Sequence, residues 1–528
     1  MGTETITVYL LKDTVTAATD ALRVEPNEYR EHAVRAGRTT ATLYVAQVDD
    51  REPPWVRLLA PVTEPPVAER TRTSSAVLLL RTSRRWFAIA FGQGRHLLDP
   101  AAYVRRFGLR VALNAADPAQ LRGAQARSFN EYALHTQRQV SRLSGVEALE
   151  LDIERDLVTS LAGAVGDPAL GKRIEGRDAV RLTAELSVSA LGRICTALLR
   201  EYKKTGYRTH YPWIDNVEEI VDPTKVSTLD EAAATRLGER RFPDFDLFPP
   251  ELVTGEIVQF RTYPPLGGLV LVEPDSSLLR HAIPRAMSGA EANEKLRYFK
   301  VIGVDDNGDE IDRWSLWECL HHERRSGSET LVLDNGQWYR VQRNFAKGVD
   351  DFARELSSSG LDLPAARRTE NEGQYNARAA NDRALALLDQ RLIRLPGLSA
   401  IEPCDLFSPR GHFIHVKRRK GGSAPLSHLF AQASVSGEAL LEEPAFRVAL
   451  RGKLSETDAT LAALITEPPK SASLPVVLGL ITKASTPSKR PAAALPFFSK
   501  IALRQTVKRL RAMNFEVFVD EIPTEPPG

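Results

Sequence analysis

The segment IEPCDLFSPRGHFIHVKRR, residues 401–419, gathers residue types that together handle phosphodiesters. Asp405 closes one apolar run, and after a turn a second run carries His415 and Lys417 two positions apart. Side chains two apart on a strand project to the same face. If the two runs pair as a hairpin, Asp405 lies near both. An acid, an imidazole and a lysine at one strand edge are the parts of a cation-assisted hydrolytic site. Carboxylates hold the ion, and the lysine steadies the attacking water. The expected ion is Mg2+ or Mn2+, with Asp405 and His415 as ligands. Magnesium takes oxygen ligands, and a neutral imidazole is a poor one for it. Three options follow. Glu402 reaches the ion from the neighbouring strand, a softer ion such as Mn2+ is used, or the site has lost catalysis and kept binding. On strand parity Glu402 points away from Asp405 unless Pro403 introduces a bulge.

The elements that must position these residues follow from periodicity. From about residue 363 the order reads helix (EGQYNARAANDRALAL), strand (LLDQRLIRL), strand (LSAIEPCDLF), strand (HFIHVKRR) and helix (LSHLFAQASVSGEALL). A short helical segment at 458–465, a strand (PVVLGLITK), a helix (SKIALRQTVKRLRAM) and a strand (FEVFVDEI) complete it. The expected sheet contains 398–407, 412–419, 475–483 and 515–522, flanked by helices 426–441 and 499–513. Gly421-Gly422 breaks the chain before a helix that sets His428 and Gln432 one turn apart. His412, His415 and His428, three of the ten histidines, fall in this one module.

Upstream, the pattern divides the chain further. Residues 1–114 are strand-rich, with runs at 6–12, 40–48, 76–82 and 85–92. Residues 115–241 read as mainly helical, with Leu191, Ile194, Cys195, Leu198 and Tyr202 on one apolar face. A proline-rich stretch, RRFPDFDLFPPEL, opens a mixed region at 242–360, and 361–528 forms the last module. The fold class is α/β, a mixed α+β multi-domain chain. Three motifs upstream carry no chemistry. FGQGRHLLD lacks the Lys-Ser/Thr of a phosphate loop and reads as a turn. VIGVDDNGDEID has no closing glutamate of a calcium loop, and Asn307-Gly308 there, like Asn335-Gly336, reads as a hairpin turn. His321-His322-Glu323 cannot put both imidazoles on one helix face.

Composition excludes several classes. The chain has 528 residues, is 43% hydrophobic and 26% charged, and has a net charge of +2. That is ordinary globular composition, so any polyanion-binding surface must be local. Cys195, Cys319 and Cys404 are far apart in sequence and form neither a disulfide framework nor a zinc pattern. No apolar stretch reaches membrane-span length, and the opening residues lack a signal-peptide pattern. A cytoplasmic protein without membrane contact is expected.

Two resemblances add to this. WFAIAFGQGRHLLD with FGLRVALN, and CDLFSPRGHFIHVKRR with LSHLFAQASVSGEALL, resemble a sporadically distributed bacterial family of unassigned function found beside anti-phage defence genes. Separately, the last module resembles the PD-(D/E)-x-K nucleases, which implies a restriction-endonuclease-like αβββαβ core. By that resemblance Asp405 is the metal-binding aspartate and Lys417 the catalytic lysine. His415 stands in the place of the metal-binding glutamate, and Glu372 is an auxiliary acid on the first helix. Gln432, with Ser436 one turn on, takes the place of the helix glutamine that orients the site.

Basic residues suggest the partner. After Lys417 come Arg418, Arg419 and Lys420, and 499–513 sets Lys500, Arg504, Lys508 and Arg511 on one stripe. From Lys417 onward basic residues outnumber acids sixteen to ten. Phosphate-backbone contact to nucleic acid, DNA ahead of RNA, is the expected use. The leading expectation is a nucleic-acid-engaging defence protein with metal-dependent nuclease activity. The alternatives are a non-catalytic nucleic-acid-binding effector and a protein-interaction subunit of a defence complex. A partner protein or a homo-oligomer fits any of the three.

Overall fold

A computed structural model describes residues 3–525 except 24–28, 37–38, 47–48, 53–55, 57–58, 65–66, 130–132, 152–156, 186, 251–256, 268–269, 273, 306–309, 328, 396–399, 420–423 and 483–485. The chain divides into two compact units, residues 1–128 with 135–215, and residues 129–134 with 216–528. Among the described residues no helix is long and apolar enough to cross a membrane.

The first unit is built on a ten-stranded sheet with Tyr29–Ala36 at one edge and Ala133–Ser144 at the other. The apolar runs read from the sequence form Thr3–Leu10, Thr39–Ala46, Ala76–Thr82 and Arg85–Phe91. Alternation in the first strand buries Ile6, Val8 and Leu10 in one core with helix Phe107–Ala115. Helix Leu191–Lys203 buries Leu191, Ile194, Cys195 and Leu198, as their spacing requires. The mainly helical reading of 115–241 is corrected. Ala116–Phe129, Ala133–Ser144, Leu157–Val165, Arg173–Gly176 and Val180–Glu185 are strands. Alanine, glutamine, arginine and leucine give the first two strands helix-forming composition, and pairing within the sheet overrides it. The turn at FGQG holds Gly92 at φ +56°, where a Cβ would lie 2.6 Å from the Ser74 carbonyl oxygen.

The second unit opens with two antiparallel sheets, of five and four strands. One holds β1 (Leu320–Ser326), which places His321 and His322 in successive, oppositely facing positions. The Asn335-Gly336 turn joins Glu329–Asp334 to Gln337–Val341 with φ of 49° and 67°, the primed-turn geometry that an Asn-Gly pair favours. The Asn307-Gly308 reading lies outside the described residues. Helix α1 (Arg343–Glu355) leads into the last module.

That module runs α2 (Glu372–Arg383), β2 (Ala386–Leu387), β3 (Leu406–Phe407), β4 (Phe413–Arg418), α3 (Ala424–Glu442), β5 (Val476–Ile481), α4 (Phe497–Ala512) and β6 (Val517–Ile522). Helices Pro444–Ser455 and Ala459–Ala463 stand between α3 and β5. The sheet order is β2-β3-β4-β5-β6. The first two pairings are antiparallel and the last two parallel. Every residue of the interior strand β5 is buried, as its unbroken apolar run demands of a strand covered on both faces. One face carries Ile414, Val416, Val477 and Ile481 against Tyr375, Ala379 and Ala380 of α2. The other packs Phe413, Leu478 and Leu480 against α3 and α4.

Two expected strands are much shorter than read. LLDQRLIRL contributes only the end of β2, and Ile393 makes an isolated bridge to Ile401. Of 398–407, residues 398–399 lie outside the described set and only Leu406–Phe407 pair as a strand. Glu402 and Pro403 are therefore irregular chain, which decides the site.

Candidate metal centre

Asp405 sits at the turn into β3 and is 7% exposed. Its backbone is tied on both sides. Its N–H donates to the Ile414 carbonyl at 3.0 Å, and its own carbonyl accepts from the N–H groups of Leu388 and Asp389 at 2.8 and 2.9 Å. These bonds bring the chain after β2 beside β3 and so put Asp389 next to Asp405. The Asp405 side chain accepts from the Val416 N–H at 2.7 Å and from Asn376 Nδ2 at 3.3 Å. Asn376, on α2, also donates to Asp389 Oδ2 at 3.1 Å.

Glu402 completes the group. Its carboxylate accepts from the Gln390 N–H at 2.5 Å and from Gln432 Nε2 at 2.8 Å. One turn further along α3, the Ser436 hydroxyl donates to the Pro403 carbonyl. Gln432 and Ser436 thus clamp the Glu402-Pro403 segment onto α3. Carboxylate oxygens of Asp389, Glu402 and Asp405 lie within 4.8 Å of one another, a spacing that one cation could bridge. The parity argument against Glu402 is corrected, because no regular strand runs from 402 to 405 to enforce it.

The electrostatics are those of crowded, poorly solvated acids. Burial, with Glu402, Asp389 and Glu372 nearby, pushes the Asp405 carboxyl up to about 7, against the lowering effect of the Val416 N–H. Burial likewise raises Glu402, and Asp389 adds to the effect. Several acids gathered in a poorly solvated place are costly until a cation neutralises them. His428, exposed on α3, is close enough to Glu402 to favour its ionised form. Lys417 Nζ pairs with Glu372 Oε2 at 3.0 Å, and Glu372 Oε1 accepts from the Arg418 N–H at 3.1 Å. Glu372 in turn helps to raise the Asp405 carboxyl.

His415 does not join it. The residue is 1% exposed, and neither ring nitrogen has a hydrogen-bond partner. Burial drives its pKa down to about 3, so the ring is neutral. It shares strand parity with Phe413, which faces the core under α3 and α4. Its expected role as a ligand is corrected to that of a core side chain.

The basic stripe on α4 is corrected in the same way. Lys500 is 3% exposed and donates to Asp350 Oδ1 of α1 at 2.8 Å, while Arg325 pairs with the same carboxylate. Arg504 is also buried, its guanidinium 5.6 Å from the Phe345 ring centre. Only Lys508 and Arg511 of that stripe are exposed. The stripe packs on α1 because α1 supplies the acid and the ring that its long side chains need. Arg418 donates to the Arg367 and Glu370 carbonyls, and Arg419 to the Ala494 carbonyl. Lys420 lies outside the described residues.

Asp389 and Asn376 are absent from the site that the sequence suggests. The only sequence signal for Asp389 is that it is the one acid in a run, LLDQRLIRL, that reads as a strand. Asn376 carries none, since a polar residue in a helix is unremarkable until its burial is known.

A family model described as "Family of unknown function (DUF6119)" matches residues 6–523, and the chain belongs to that family. No curated protein and no solved structure matches it significantly.

Proposed function

We propose that this DUF6119 member binds a divalent cation, Mg2+ or Mn2+, between Asp389, Glu402 and Asp405 and uses it to hydrolyse phosphodiester bonds of nucleic acid. The observation that carries this reading is the convergence of three carboxylates from two chain segments, one bearing Asp389 and the other Glu402 and Asp405, with a fourth acid that acts on Asp405, Glu372, pairing with Lys417. An all-oxygen set suits a hard cation, and removing His415 from it removes the chemical objection to magnesium. The ion would polarise a phosphoryl oxygen and lower the pKa of a bound water. Lys417, released from or shared with Glu372, would orient that water or neutralise the developing charge. Gln432 keeps Glu402 turned toward the ion. Resemblance to nucleases in element order supports nucleic acid as substrate, and a role in anti-phage defence is proposed on the family resemblance alone.

The test is cleavage of end-labelled DNA and RNA with Mg2+ or Mn2+ and with chelator. Cleavage that needs the metal, is lost in Asp389→Asn and Lys417→Ala, and survives His415→Leu is the expected pattern. Salt-sensitive binding without cleavage under any metal would instead favour a non-catalytic effector. Absence of both would leave the protein-interaction role.

A further inference from the structure

Asn376 is 1% exposed and its amide head lies against two carboxylates of the cluster. Its Nδ2 bridges Asp389 and Asp405, yet its buried Oδ1 has no hydrogen-bond partner. A buried carbonyl oxygen left unpaired is unfavourable, because it has given up water and gained nothing in exchange. The arrangement is a compromise. The amide N–H2 supplies partial positive charge where the acids need it, and the oxygen is sacrificed. Asn376 stands one turn into α2, whose first turn approaches the same acid so closely that a Cβ on Gly373 would lie 3.3 Å from Asp389 Oδ2.

We infer that Asn376 is a neutral fourth ligand of the cation site: when a divalent ion enters, the amide turns over about its last side-chain bond and offers Oδ1 to the ion. The turn exchanges two atoms of nearly equal size and needs no movement of α2. It gives the oxygen a partner at the cost of the two hydrogen bonds that Nδ2 makes to Asp389 and Asp405, and the ion takes over the neutralisation that the N–H2 group provided. The resulting set is three carboxylates and one amide oxygen, all hard donors. This rests on the cation reading above, which names only the acids.

Titration of the full-length chain with Mn2+, following loss of the free-ion EPR signal, separates the roles. Asn376→Leu removes both donor and acceptor at similar volume and is expected to weaken Mn2+ binding at least tenfold. Asn376→Asp keeps an oxygen in the same place but cannot donate. A ligand role predicts binding as tight as the parent's or tighter. If Asn376 acted only as a hydrogen-bond donor, its loss would leave the acids more repulsive without metal and Asn376→Leu would bind Mn2+ more tightly than the parent, which would overturn the inference. Unchanged binding in Asn376→Leu would overturn it too. Thermal melts without metal identify a misfolded variant, and Asn376→Ser, smaller and still oxygen-bearing, then replaces it under the same criteria. No Mn2+ binding by the parent chain would defeat the cation reading itself, an outcome distinct from either of these.

Discussion

Two residues of the 401–419 segment have opposite fates because of what surrounds them. His415 is buried without hydrogen bonds and held neutral, so the fold resists protonation there. Its folded pKa lies below the ordinary histidine value. The stability cost is absent above pH 6.5 and grows as pH falls toward 3, because only the unfolded chain then takes up the proton. His415→Leu is expected to gain about 2 kcal/mol over the parent at pH 5 and to leave metal binding within twofold, as read by denaturant melts and Mn2+ titration. Asp405 behaves in the reverse sense. Its folded pKa is raised, so the metal-free fold is favoured below the ordinary carboxylate range and loses that advantage as pH rises through about 7. Asp405→Asn should therefore raise the metal-free Tm by several degrees at pH 8 and by much less at pH 5, while abolishing cation binding. A pH-independent shift would contradict this account of the buried acid. Of the residues that the sequence singles out, Asp405 lies near Glu402, Gln432 donates to Glu402, and Lys417 pairs with Glu372. The sequence misassigns His415 because spacing fixes which strand face a residue shares but not whether that face is core or cleft.

At the level of elements, β4, β5, β6, α3 and α4 fall close to where periodicity puts them, because each is a long apolar or amphipathic run. The failures are short or irregular. The described residues at 388–395 and 400–404 pair mainly through single backbone bonds, and these two irregular stretches bring Asp389 and Glu402 together. Helix α4 is legible in the sequence but the surroundings of its polar face are not, since an amphipathic pattern cannot say whether charged side chains meet water or a buried acid. Lys500→Ala leaves Asp350 with only Arg325 and is expected to destabilise the fold by on the order of 3 kcal/mol. It should not change the salt dependence of nucleic-acid binding. A stable Lys500→Ala protein with weakened binding would restore the exposed-stripe reading.

For the molecule as a whole, a net charge of +2 gives no general attraction to polyanions, so binding must come from local basic residues. Affinity for nucleic acid is expected to fall with salt. Removing the exposed Lys508 and Arg511 together should make the slope on duplex DNA shallower by about 0.9 for each phosphate no longer neutralised, without altering cleavage at saturating substrate. An unchanged slope would remove α4 from the binding surface. The division at residues 215–216 is less accessible from sequence than the site. Residues 116–185 of the first unit add strands to the same ten-stranded sheet, so the change in pattern near 115 marks no boundary between compact units.

The central claim, a cation held by Asp389, Glu402 and Asp405, is tested most directly by anomalous diffraction from crystals of the full chain grown with Mn2+. The account predicts a manganese peak between those three carboxylates, with the Asn376 oxygen turned toward it and His415 making no contact. Crystals saturated with Mn2+ that show no peak there, or one ligated by His415, would contradict it.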